Sequence, residues 1–94
     1  MTYVLAIQKV EDYDKWKPVF DEHGTIRMAK GSMGASILRN VNDPNQLVII
    51  TEWENMESAK NFALDKDLKT VMKKAGVIGH PELYYLDKIE QTPY

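Results

Sequence analysis

The chain has 94 residues, 44% hydrophobic and 28% charged, with 14 acids against 12 bases and no cysteine. That length fits one domain spanning residues 1–94. The missing thiols exclude disulfides, thiol nucleophiles and thiolate metal sites, and the lack of any basic block argues against nucleic acid as a partner.

The opening MTYVLAIQKV has no basic start, and its apolar run is too short for export or for crossing a membrane, so a cytoplasmic location is expected. Its β-branched and aromatic content makes Tyr3 to Val10 a strand. Asp12 then caps a helix whose apolar positions Tyr13, Trp16, Phe20 and His23 recur three and four apart. Gly24 weakens that helix, Thr25 to Lys30 continue it for a further turn or two, and Gly31 stops it. GASILRN and QLVIITEW read as strands around VNDPN, with Asp43-Pro44-Asn45 as the turn that closes a hairpin. NMESAKNFALDKDLKTVMKKAG is helical, with a bend expected near Asp65-Lys66-Asp67 and an end at Gly76, and ELYYLDKI is the last strand.

The order β-α-β-β-α-β is the split ferredoxin-like arrangement: an α+β fold in which right-handed crossovers put both helices on one face of an antiparallel sheet. Two strands carry apolar residues on both faces, Leu5 and Ile7 against Val4 and Ala6, and Leu47 and Ile49 against Val48 and Ile50. Helices cover only one of those faces. A bare apolar sheet surface is more than a monomer normally tolerates, and a second copy packed sheet against sheet covers it. A homodimer through the open face is therefore expected.

Topology also sorts the residues by rim. The end of the first helix, with His23 and Arg27, shares one rim with Met33, Trp53 and the start of the second helix, including Phe62. His80 falls at the opposite rim, so the two histidines cannot form a metal centre within one subunit, and no metal site is expected. His23 lies about 10 Å along the helix from Trp16 and turns toward the sheet. A crevice lined by Trp16, Phe20, Trp53 and Phe62 would be an apolar pocket with one titratable group, the usual form of a site for a small organic molecule. His23 is then the candidate catalytic base, and Arg27, one turn on, can hold an anion or enolate. The structural alternative is equally concrete: His23 donates to a nearby carbonyl, Gly24 is only a break, and the tryptophans are core anchors. Tyr84 and Tyr85 point to opposite faces of the last strand. Glu52 and Glu54 share a strand face and have the form of a catalytic pair, but at a strand end before a helix they read as solvent-facing or subunit-bridging charges. GSMG is too short and wrongly placed for a phosphate loop.

VEDYDKWKPVFDEH, LRNVNDPNQLVIITEWENMESAKNF and AGVIGHPELYYL, in that order, resemble the dimeric α/β-barrel superfamily, and more closely its antibiotic-biosynthesis-monooxygenase-like and cyclase-like small proteins. The resemblance covers nearly the whole chain. It implies a barrel built from the sheets of two subunits, with a pocket between sheet and helices in each. Many monooxygenase-like members carry histidines in the second helix in a stretch resembling H-x-x-S-x-H. Here Phe62, Asp65 and Asp67 fall across it, without a histidine. Haem chemistry, which would need an axial histidine on that helix, is not expected, and no cofactor is called for. The resemblance allows a cofactor-independent monooxygenase-like or cyclase-like reaction with His23 as base. Two other readings are a binding module for an apolar or aromatic metabolite, which would survive loss of His23, and a structural dimer whose aromatics fill the space. The polar tail EQTPY is expected to lie on the partner subunit as an arm.

Overall fold

A computed structural model describes residues 2–94. The elements are β1 (Thr2–Val10), α1 (Tyr13–Glu22), α2 (Gly24–Ala29), β2 (Ser32–Asn40), β3 (Asp43–Trp53), α3 (Met56–Ala63), α4 (Lys66–Lys74) and β4 (Val77–Asp87). They form one four-stranded antiparallel sheet in the order β2-β3-β1-β4. Each of the two expected helices is a broken pair, so the ferredoxin-like order is kept with α1–α2 and α3–α4 as the crossovers.

Register decides which strand residues meet the helices. Val4 pairs with Thr51, Ala6 with Ile49 and Gln8 with Leu47. All but Gln8 are buried, so this row faces the helices. Trp16 of α1 and Ala75 after α4 close over Ala6, Val10, Leu47 and Ile49, while Ala59 of α3 closes over Val4 and Trp53. The alternate row has no helix above it: Leu5 opposite Ile50 and Tyr84, Ile7 opposite Val48, and Leu38 opposite Val48. Leu38, Tyr84 and Leu86 are 42–49% exposed on that side. Tyr84 and Tyr85 do point to opposite faces, Tyr85 pairing with Val4 in the helix-side row.

Helix ends follow the side chains available. Asp12, Asn55 and Asp65 cap α1, α3 and α4 by accepting from the backbone N–H groups of Asp14, Ser58 and Asp67 at 2.8–3.0 Å. The α1–α2 break falls on His23, whose N–H donates back to Val19 O while its carbonyl accepts from Ile26 and Arg27. Gly31 then reverses the chain at φ +109°, where a Cβ would lie 2.9 Å from the Glu54 carboxylate. Only glycine fits there, and it brings the start of β2 against the end of β3.

Four expected boundaries move. Asn40 pairs with Asp43, so Val41 and Asn42 form the hairpin tip. Asp43-Pro44-Asn45 does turn locally, with the Asp43 carboxylate accepting from Asn45 N at 3.0 Å, but as an irregularity inside β3. β2 starts at Ser32, two residues before GASILRN, because the Gly31–Glu54 contact already docks it. β4 starts at Val77, since Val77 and Ile78 pair with Val10 and Lys9 before a register shift carries the chain past Gly79-His80-Pro81. It ends at Asp87, short of Ile89. The tail beyond it is exposed.

Candidate functional site

Between sheet and helices lies a cavity of about 150 Å³. Val4, Ala6, Ile49 and Thr51 form its floor, α1 and α2 one wall, α3 and α4 the other, and Leu83 and Pro81 of β4 close one side. Trp16, Phe20, His23, Arg27, Trp53 and Phe62 all line it. The aromatics border this space and do not fill it. Trp16 stacks on Phe20 at 4.8 Å, and Phe62 sits 5.0 Å from Trp53 and 5.8 Å from His23.

The polar groups of the lining divide into matched and unmatched. Trp16 Nε1 donates to Gln8 Oε1 at 3.2 Å. Trp53 Nε1 donates to Thr51 Oγ1 at 2.7 Å, and that hydroxyl donates on to Val4 O at 3.5 Å. Arg27 lies with its Cζ 3.7 Å from the centre of the Phe20 ring and donates through Nη1 to Phe20 O at 2.8 Å. His23 differs. The residue is buried, and its Nδ1 is enclosed with no hydrogen-bond partner. It is not the donor to a nearby carbonyl that the helix-end position allowed. Burial, reinforced by the Arg27 charge, lowers its pKa below the ordinary histidine value, against an opposing pull from Asp65. The shift favours the neutral imidazole. Lys30 pairs with Asp65 beside it, tying the end of α2 to the start of α4.

Other candidates separate. Glu52 pairs with Tyr3 in the uncovered row. Glu54 lies past the end of β3, under Gly31, and accepts from Ser58 Oγ at 3.1 Å. The two do not share a strand face, because the strand stops at Trp53. His80 is exposed beside the Ile7–Lys9 end of β1, whereas Trp53, near His23, is level with Thr2. No group of three or more metal-binding side chains occurs among the described residues. Gln8 and Thr51 escaped the sequence reading although their signal was present. Each is the polar member of an inward row, Val4-Ala6-Gln8 and Leu47-Ile49-Thr51, and such a residue at an apolar position has a partner or a task. Leu68, Val71 and Met72 of α4 also line the cavity.

No family model and no curated protein matches the chain. Solved structures do. A Bordetella bronchiseptica protein assigned to the antibiotic biosynthesis monooxygenases superposes with a TM-score of 0.78 at 16% identity, over 95% of this chain and 97% of that one. SnoaB, a cofactor-independent oxygenase from Streptomyces nogalater, does so with a TM-score of 0.78 at 13% identity, over 99% and 97%. A Caulobacter crescentus protein with the same assignment as the first gives 0.74 at 19% identity, over 95% and 90%. The chain has the antibiotic-biosynthesis-monooxygenase fold.

Proposed function

We propose that the chain is an oxygenase of a small electron-rich phenol that works without a cofactor, as a homodimer joined through its open sheet faces. The observation that carries the reading is His23: a neutral, buried imidazole on the wall of an apolar cavity, with one nitrogen unpartnered. An unsatisfied buried polar group costs about 1–3 kcal/mol, so its presence fits a task outside the fold. The fold shared with SnoaB supports the class of chemistry, and a cavity of about 150 Å³ matches one aromatic ring. With Nδ1 enclosed, Nε2 is the nitrogen that addresses a bound molecule.

In this reading Nε2 accepts the phenolic proton, and the Arg27 charge on the same wall favours the phenolate through the cavity without touching its oxygen. The phenolate, an electron-rich carbanion at its ring carbon, reduces dioxygen and forms a C–O bond. Where that carbon is a methylene in the keto tautomer, loss of its second hydrogen with O–O cleavage gives a carbonyl and one water. Dioxygen is the oxidant throughout. The apolar walls keep bulk water from the intermediate.

The test is oxygen uptake with a panel of hydroquinones and phenols. Uptake should saturate with one or more of them, and His23→Gln should lower it about 100-fold or more. No uptake with any phenol, or full activity in His23→Gln, overturns the enzyme reading. Ligand binding that then survives His23→Ala would establish a binding module. For the assembly, wild type should sediment as a dimer and Ile50→Glu, in the open row, as a monomer. A monomeric wild type removes the dimer.

A further inference from the structure

Arg27 belongs to two spaces at once. It lines the inner cavity, and it also walls an outer hollow of about 260 Å³ between α2 and β2, with Gly24, Met28, Met33 and Gly34. Its guanidinium is half-buried, and no carboxylate lies within ion-pair distance of it among the described residues. The nearby acids are engaged elsewhere: Asp21 holds Lys17 at 2.6 Å, and Asp65 holds Lys30. Burial lowers the Arg27 pKa, the mark of a charge partly stripped of water. One donor is spent on Phe20 O, and the Phe20 ring fixes the plane of the fork, which leaves the Nη2 side unclaimed. Gly24 borders that side, where a Cβ would stand at ordinary contact distance, 3.4 Å from Nη2.

We infer that Arg27 is the seat of a ligand carboxylate, and that the molecule taken up is a small hydroxylated aromatic acid with its ring in the inner cavity and its carboxylate at the boundary with the outer hollow. The inference deepens the oxygenase reading and rests on it only for the fate of the hydroxyl. The spacing agrees. Arg27 N bonds to His23 O across the helix break as in a regular turn, and residues four apart on such a turn have Cβ atoms about 5–6 Å apart. Both side chains line the inner cavity, so a ring seated there can present one polar substituent to each. The charge agrees too. One unpaired cation, with Lys17 and Lys30 both occupied, matches a monoanion, and a phosphate dianion would meet only half its charge. A planar fork held against a ring suits the two-oxygen geometry of a carboxylate.

The probes are 4-hydroxybenzoate and its methyl ester, which share ring and hydroxyl and differ in charge, titrated calorimetrically into the full chain. Wild type should bind the acid about tenfold to a hundredfold more tightly than the ester, the usual worth of a charged hydrogen bond. Arg27→Gln should erase that preference by weakening the acid about tenfold or more beyond any change in the ester, and Arg27→Lys should restore part of it. Equal affinities in wild type, a preference that survives Arg27→Gln, or no binding of either probe overturns the inference. The wild-type comparison stands without any variant. Acid preference without oxygen uptake sinks the oxygenase reading alone, and oxygen uptake on neutral phenols without acid preference sinks only the carboxylate seat.

Discussion

The tryptophans and His23 line the same cavity under opposite rules. Trp16 and Trp53 are almost wholly buried, and each indole N–H has an acceptor supplied by an inward strand residue, Gln8 or Thr51. His23 is buried almost as deeply, its backbone is fully bonded, and its Nδ1 has nothing. Where a large side chain serves the fold, the sheet provides its partner. Where the partner is missing, the side chain is available to something else. Depth of burial alone does not distinguish the two cases, and completion of hydrogen bonds does.

Breaking the matched side should be the costliest change. Trp53→Ala empties a site that is 1% exposed and strips Thr51 of its donor, and should cost about 3–5 kcal/mol in urea unfolding. A loss under 1 kcal/mol would mean the matched pair is not structural. On the unmatched side the sign reverses. His23→Leu replaces an unsatisfied polar group with an apolar one and should gain about 1 kcal/mol, read as a higher Tm at fixed protein concentration. A lower Tm would make His23 a structural piece like the tryptophans.

The smallest effect is in pH. Folding lowers the His23 pKa below its value in the unfolded chain, so between the two the unfolded state binds the extra proton. The stability this residue allows is therefore full above about pH 6.5, the unfolded value, and falls as the pH drops toward the folded one. Wild type should lose stability through that window, and His23→Leu should lose less. Identical profiles would place the titration elsewhere.

Much of this arrangement was legible from residue order. The spacing of Trp16, Phe20 and His23 put them on one helix face, and the topology put His23, Arg27, Trp53 and Phe62 at one rim. The hairpin was misjudged because Asp43-Pro44-Asn45 carries strong turn chemistry that the sheet absorbs as an irregularity, with Lys9 pairing to Asp43 at 2.6 Å across the strands. The start of β4 was missed because Gly79 and Pro81 punctuate it, yet backbone pairing with β1 outweighs that local preference. The orphaned Nδ1 could not be read at all. Whether a polar atom finds a partner depends on what several distant segments bring to it, and no periodicity records that.

The sheet order has a consequence for how the cavity comes into being. Thr2 pairs with Asp87, so the first and last strands lie side by side and Leu83 closes a wall whose floor was laid down by Val4 and Ala6. Contacts that join opposite ends of a chain form late and slowly. During synthesis, the stretch from β1 to α4 must wait with an apolar sheet edge and a half-walled hollow until β4 leaves the ribosome. The cavity that holds His23 and Arg27 lacks one side before then, and any ligand affinity is a property of the completed sheet.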